Sequence, residues 1–114
     1  MTQEWIIKTL SNLGLSLVDA KIYYLIASNG PLTAKKIADT LKLSRQHVYR
    51  TLRRLQKRDL ITSTINRSAV FSALTFDDVL DLFMKAKWKE ASALSNRKDE
   101  LLLGWRLMIE KERD

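Results

Sequence analysis

The segment from Ser44 to Arg58 combines an apolar side with a cationic side, a division that suits recognition of a polyanion. At about 100° per residue, a helix here places Val48, Leu52 and Leu55 on one side. The other side carries amide and basic groups: Gln46, Arg50, Arg53, Lys57 and, at its flank, Arg54. Glutamine can pair with adenine and arginine with guanine, while basic residues neutralise phosphates. The stretch therefore predicts a helix that docks on a core and enters a DNA major groove.

A charged helix side is by default only solvated, so the charge of the rest of the chain matters. The 114 residues carry a formal net charge of +7, with an isoelectric point near 9.9. Residues 1–74 hold twelve basic and four acidic side chains, a net +8, whereas residues 75–114 have a net charge of −1. The site for a polyanion therefore belongs to the first two thirds of the chain.

The composition argues against catalysis and against bound cofactors. The chain has no cysteine and one histidine, which excludes thiolate chemistry, disulfides and a multi-histidine metal site. No phosphate-binding glycine loop is present, and helix capping explains the acidic pair Asp77 and Asp78 better than acid–base catalysis does. We predict a protein that is not an enzyme and has no cofactor, metal or evident small-molecule effector.

The chain also lacks the features of a membrane or secreted protein. No run of about 18 apolar residues occurs, and the first residues lack the basic and then apolar order of a secretory signal. These absences predict a cytoplasmic protein with no membrane partner.

Capping residues and apolar periodicity predict the first helices. A helix should end near Leu13, because the glycine after it favours the left-handed conformation of helix ends. Ser16 and Asp19 have the spacing of a capping box, with Asp19 reaching back, at the start of a helix over 17–28. Thr33 is a candidate N-cap for a short helix that ends before Ser44. This short helix and the helix that Ser44 begins together predict a helix-turn-helix.

Beyond residue 60 the apolar period changes from 3.6 to 2. Residues 60–65 and 69–74 are rich in β-branched and aromatic side chains, and residues 66–68 join them. This pattern predicts a two-stranded hairpin that packs on the helices as a wing, with Arg67 at its tip. The predicted fold class is mainly α, a winged helix-turn-helix with a β-hairpin wing and a long C-terminal helical dimerisation segment.

The C-terminal segment has the apolar spacing of a coiled coil. Thr75 and the acidic residues after it predict a helix start near Phe76. Seven residues at alternating spacings of three and four form the predicted dimerisation seam: Leu80, Met84, Ala91, Leu94, Leu101, Trp105 and Met108. Lys87 and Lys98 interrupt the seam, and a helix folded back on its own domain is the alternative. We predict a DNA-binding domain over 1–74 and a dimerisation segment over 75–114, of one helix or two.

The first part of the chain resembles the archaeal TrmB-like family of winged-helix transcriptional regulators. The resemblance spans about residues 12–80 and rests on six short stretches: 13–16 with 19–23, 30–34 with 37–38, and 44–55 with 59–61. It implies a cytoplasmic, dimeric, sequence-specific DNA-binding protein, with Arg45, Gln46 and Arg50 at recognition-helix positions that reach DNA. Members typically also carry a sugar-binding domain, which we expect this chain, ending at Asp114, to lack. Asp59 stands where the family often has glycine, which implies a slightly different entry into the wing.

The predicted DNA contacts divide by chemistry. Gln46 and Arg50 should reach base edges, or alternatively only phosphate or water. The basic residues further along the helix should contact the backbone, and Arg67 the minor groove. The full predicted set is Lys35, Lys36, Ser44, Arg45, Gln46, His47, Arg50, Arg53, Arg54, Lys57 and Arg67. His47 fits a phosphate contact better than a pH sensor, and the tyrosines Tyr23, Tyr24 and Tyr49 are interpreted as core and packing residues.

Together these observations predict a sequence-specific regulator of transcription that binds double-stranded DNA as a homodimer. The recognition helix over 44–58 would occupy the major groove, and the wing over 60–74 the minor groove or the backbone. Two alternatives stay open. One is a winged-helix adaptor whose basic face meets an acidic protein, and the other is an architectural or RNA-binding protein without strong sequence preference.

Overall fold

The computed structural model describes residues 2–65 and 67–113, which form two compact units that divide after Val79. The helices and strands of the first unit follow the order α1 (Gln3–Asn12), α2 (Leu17–Asn29), β1 (Leu32–Thr33), α3 (Ala34–Leu41), α4 (Arg45–Lys57), β2 (Ile61–Ser63) and β3 (Val70–Ala73). Helix α5 (Phe76–Asn96) begins in the first unit, and α6 (Lys98–Arg113) follows in the second. The mainly helical winged fold is confirmed. Asn66, in the predicted hairpin turn, lies outside the described residues.

The predicted capping residues begin their helices as expected. A hydroxyl at the N-cap accepts a hydrogen bond from the backbone N–H three residues later, which satisfies an otherwise unpaired donor. The pairs, with donor to acceptor distances, are Ser16 with Asp19 (3.1 Å), Thr33 with Lys36 (3.2 Å), Ser44 with His47 (3.1 Å) and Thr75 with Asp78 (3.3 Å). Local sequence therefore determines where α2, α3, α4 and α5 start.

The second half of the predicted capping box in α2 is wrong. The Asp19 carboxylate does not reach back to the Ser16 backbone but accepts a hydrogen bond from Arg54, with Oδ1 and Nη2 2.7 Å apart. Asp19 is buried, and an ionised carboxylate in such a place needs a charged partner. The guanidinium supplies that partner from a helix 35 residues away.

The wing hairpin is confirmed, and a third strand extends it. Strands β2 and β3 pair antiparallel, with Ile61 opposite Ala73 and Ser63 opposite Phe71. Strand β1 pairs with the other edge of β3, which gives the order β1-β3-β2. A strand of two residues is too short for a recognisable alternating pattern, so no local pattern indicates β1. Because Thr33 ends β1 and caps α3, the sheet is joined directly to the helix-turn-helix.

The core lies between the helices and the inner side of this sheet. Its fully buried side chains come from five helices and the entry to the wing: Leu10, Ile22, Tyr23, Ile26, Ile37, Val48, Thr51, Leu52, Leu55, Leu60 and Val79. The Tyr23 hydroxyl donates a hydrogen bond to the Leu74 carbonyl oxygen at 2.6 Å. Burial raises the pKa of Tyr23 to about 12, because the phenolate would be poorly solvated there.

The second unit consists of two helices that a single residue separates. The backbone N–H of Arg97 donates to the Leu94 carbonyl oxygen at 3.1 Å, and the Leu101 N–H donates to the Arg97 carbonyl oxygen at 2.9 Å. Two nearly continuous helices are therefore present rather than one. The large seam side chains beyond Leu80 are 45–67% exposed in this single chain: Met84, Leu94, Leu101, Trp105 and Met108.

We predict that the contribution of Tyr23 to stability depends on alkaline pH. Near neutrality, Tyr23→Phe should lower the free energy of unfolding by about 1 kcal/mol, since the Leu74 carbonyl loses its donor. Tyrosine in the unfolded chain ionises near about 10, whereas the folded chain keeps its proton until about 12. The stabilisation by the neutral phenol is thus present below pH 10 and is lost as pH rises towards 12. Urea unfolding of both proteins across this window should show the difference shrinking; a constant difference would contradict the assignment.

Candidate nucleic-acid interface

Helix α4 has the two sides that its sequence predicts. Val48, Leu52 and Leu55 are at most 1% exposed, and Thr51 between them is also buried. Removing each large aliphatic side chain from water stabilises the docked helix by about 1.5–3 kcal/mol. The opposite side faces solvent through the predicted polar residues Gln46, Arg50, Arg53 and Lys57. Arg45, which the helical wheel places nearer the buried side, is also exposed in the first turn. The core thus determines which side of α4 is free to meet a ligand.

A shallow depression of about 420 Å³ lies on this solvent-facing side. It is lined by Arg45, Gln46, Tyr49, Arg50 and Arg53, so the structure brings together four of the predicted contact residues. Their side chains offer three guanidinium groups and one amide, which are hydrogen-bonding groups that can pair with base edges and phosphates. The depression fits an anionic ligand with hydrogen-bonding edges.

Tyr49 is the lining residue that sequence reasoning missed. Its interpretation as a core residue is wrong, because its side chain is 46% exposed. The signal was available on the helical wheel, where residue 49 lies about 100° from Val48 and towards Arg53. Tyr23, by contrast, is buried as predicted, and Tyr24 is half-buried.

Two arginines on the other flank of α4 have partners within the protein. Arg54 bridges the buried carboxylate of Asp19, and its Nη2 also donates to Thr51 Oγ1 at 3.0 Å. Arg58 Nη1 donates to the Gly14 carbonyl oxygen at 3.3 Å. Arg54 therefore has a partner other than the phosphate predicted for it, and its contact holds α4 against the start of α2.

The remaining predicted contact residues lie outside the depression. Lys35 and Lys36 are exposed in the first turn of α3, and Arg67 is exposed beside the hairpin turn. Ser44 uses its hydroxyl to cap α4, and half-buried His47 donates its backbone N–H to that hydroxyl.

The wing is linked to the end of α4 by a side-chain hydrogen bond. Gln56 Nε2 donates to Ser63 Oγ at 3.0 Å, which links α4 to β2 across the connecting turn. Beyond β2, Ile65 is fully exposed near the hairpin turn, although the sequence pattern placed it in the strand. This hydrogen bond therefore helps to hold the wing in place relative to α4 within the first unit.

The described part of the chain offers little for other kinds of site. Across residues 2–65 and 67–113, acidic and histidine side chains form no group that could hold a metal ion. Within the same ranges, no helix is both long and apolar enough to cross a lipid bilayer.

Comparison with known proteins agrees with this geometry. The family described as sugar-specific transcriptional regulator TrmB matches residues 10–77. No curated protein sequence matches the chain. The structure is similar to that of TrmBL2, described as an archaeal chromatin protein with a novel mode of DNA binding, with a TM-score of 0.76 at 22% identity. That match covers 97% of this chain but 46% of TrmBL2, so the chain spans about half the length of that protein.

Two further archaeal structures match over most of their own length. The ST1889 protein of Sulfolobus tokodaii aligns with a TM-score of 0.66 at 20% identity, covering 82% of this chain and 99% of that one. A possible transcriptional regulator from Methanosarcina mazei aligns with a TM-score of 0.68 at 15% identity, covering 88% of both chains. At these identities the similarity shows the fold.

Substitution of Arg54 should destabilise the protein, whereas substitution of the neighbouring Arg53 should leave its stability almost unchanged. Arg54→Ala leaves the buried Asp19 carboxylate unpaired and should lower the free energy of unfolding by about 1–3 kcal/mol, a range reduced for the half-exposed guanidinium. Arg53 is exposed and has no hydrogen bond or ion pair within the described ranges, so Arg53→Ala should change stability by about 0.5 kcal/mol or less. Urea unfolding of both variants measures this, and equal losses would refute the division.

Proposed function

The chain belongs to the TrmB family of DNA-binding transcriptional regulators, and from that premise we propose that it recognises specific sequences in double-stranded DNA as a homodimer. The observation that carries the proposal is the exposed polar depression on α4, opposite a fully buried apolar side. Regulators of this family are not enzymes. The proposed place of action is the cytoplasm, where the DNA of a cell without a nucleus lies.

In the proposed complex, α4 lies in the major groove. That groove is about 12 Å wide and admits a helix, whereas bases in the minor groove are harder to distinguish. Gln46 and Arg50 come from the first half of α4, the part of a recognition helix that reaches base edges. They are the proposed base-reading residues, with Arg45 beside them in the first turn.

The other exposed cations are assigned to the DNA backbone. Arg53 and Lys57 lie further along α4, and Lys35 and Lys36 lie at the start of α3, so each would neutralise a phosphate without reading sequence. Arg67 on the wing is the proposed contact with the minor groove or the adjacent backbone. Ser44 and His47 would approach phosphate near the start of α4. Arg54 is left out of the proposed interface because it holds Asp19.

The homodimer is proposed to form through the seam of the second unit. The exposed side chains of this seam also line a mostly apolar cleft of about 690 Å³ beside the α5–α6 junction, with Leu94, Leu101 and Trp105 among its residues. Large apolar side chains exposed side by side on one face indicate an interaction site. A second copy would cover it and place two recognition helices about one DNA turn apart, roughly 34 Å, to read an inverted repeat.

One structural neighbour supports DNA as the partner. TrmBL2 is described as a chromatin protein with a novel mode of DNA binding. For the present chain, binding without sequence preference, as an architectural protein would show, is the outcome that contradicts the proposal.

Loss of Arg50 should relax base preference. Selection of bound fragments from a random duplex pool should enrich an inverted repeat, and Arg50→Ala should weaken binding to that repeat by about 1–3 kcal/mol while changing binding to unrelated DNA much less. Arg53→Ala is the matched control, since loss of a phosphate contact should weaken binding to all sequences alike. Mobility shift of wild type and both variants at about 150 mM salt gives the ratios.

Three results would count against this function. They are the absence of any enriched repeat, comparable shifts of duplex DNA and structured RNA, and an Arg50→Ala variant that keeps the full preference of the parent.

Two leucines of α6 provide a matched test of the dimer. Leu101 belongs to the seam, whereas Leu103 lies about 200° away on the same helix. Both are substantially exposed in the single chain, so a lysine at either position should leave the fold intact. Leu101→Lys should shift the molecule from the mass of two chains towards that of one by sedimentation equilibrium, and Leu103→Lys should not. Equal effects, or a monomeric wild type, would contradict the proposed seam.

A further inference from the structure

We propose that Tyr49 is a specificity-determining residue that recognises the C5-methyl group of a thymine in the major groove. The inference rests on the proposed function, since it needs α4 to lie against base edges. The C5-methyl group of thymine is apolar, and the guanidinium and amide groups around Tyr49 cannot recognise it by hydrogen bonding.

The position of Tyr49 places it among the proposed base-reading residues. It precedes Arg50 by one residue, follows Gln46 by three and precedes Arg53 by four, and all of them line the same depression. Positions three and four apart on a helix are neighbours on its surface. The phenol ring therefore belongs to the surface that would face the bases.

The exposure of Tyr49 has no explanation within the protein. Its side chain is 46% exposed, and within residues 2–65 and 67–113 its hydroxyl makes no hydrogen bond. Tyr23 shows the structural use of the same residue type, since it is buried and donates to the Leu74 carbonyl oxygen. A rigid aromatic ring that meets water in the free protein has apolar area left to bury on binding.

The chemistry of the major groove restricts what the ring can contact. Guanine, cytosine and adenine present hydrogen-bonding groups there, and thymine alone adds an apolar one, its methyl group. Among the five residues of the depression, Tyr49 alone is aromatic; the others are arginines and a glutamine. The complementary partner for the ring is therefore a thymine methyl group, next to bases paired with Gln46 or Arg50.

The alternative contact, from the Tyr49 hydroxyl to a phosphate, predicts a different pattern. A phosphate contact depends on the hydroxyl and is indifferent to base identity. A methyl contact depends on the ring and vanishes when the methyl group is removed from the DNA. Substitutions in the protein and in the DNA can therefore separate the two.

The test uses duplexes that wild-type protein selects from a random pool. Each thymine of one half-site is replaced in turn by deoxyuridine, which removes the methyl group and keeps every hydrogen-bonding group. At one position the wild type should bind about fourfold more weakly, the factor expected for one buried methyl-sized group. Tyr49→Phe should keep this loss, whereas Tyr49→Ala and Tyr49→Gln should bind both duplexes equally. Two variants without the ring are used so that a result common to both can be assigned to loss of the ring and not to the new side chain. Tyr24→Ala, at a tyrosine outside α4, is the control.

The outcomes separate this inference from the function beneath it. A fourfold loss that persists in both ring-free variants, a selected half-site without thymine, or no cost of deoxyuridine to the wild type would overturn the role of Tyr49 and leave sequence-specific binding intact. Weakening by Tyr49→Phe on all duplexes alike would assign the hydroxyl to phosphate and also overturn it. A pool with no enriched sequence would overturn both proposals.

Discussion

The burial of one side of α4 is the constraint on which the rest of the first unit depends. Val48, Leu52 and Leu55 can leave water only if that side faces the core, which leaves the cationic side exposed. Hydrophobic burial is non-directional. It therefore selects which side of α4 faces the core, but it defines the exact rotation of the helix about its axis only loosely. The hydrogen bond from Arg54 to Asp19 joins α4 to α2; it is directional and restricts that rotation. Two kinds of interaction together orient the recognition surface.

Features encoded locally could be predicted from the sequence. Caps depend on residues three apart, and the apolar period of α4 is complete within four turns, so Ser44 and the buried side of the helix were identifiable. The Asp19–Arg54 ion pair joins residues 35 apart, and no local pattern indicates it. Because a capping box explained Asp19 and a phosphate contact explained Arg54, each residue already had a local interpretation. Strand β1 was missed for a similar reason, since only its pairing with β3 defines it.

The candidate site shows the same division between local and long-range information. Helical geometry alone places Gln46, Arg50 and Arg53 on one side of α4, and the depression contains all three. Which arginines of α4 pair with groups of the protein itself depends on how α4 packs against α2. No local pattern in the sequence indicates that packing. Tyr49 combines both kinds of information. Its position on the helical wheel indicates exposure, whereas its aromatic character favours the core.

The turn after α4 joins this helix directly to the wing. Asp59 adopts a φ of 60°, the left-handed region that favours glycine, and its N–H donates to the Gln56 carbonyl oxygen at 3.0 Å. The Leu60 N–H donates to the Leu55 carbonyl oxygen at 3.0 Å, which completes a Schellman motif. Aspartate tolerates this conformation better than most residues, so the turn forms without a glycine. Since β2 begins directly after Leu60, this turn determines the direction in which the wing leaves α4.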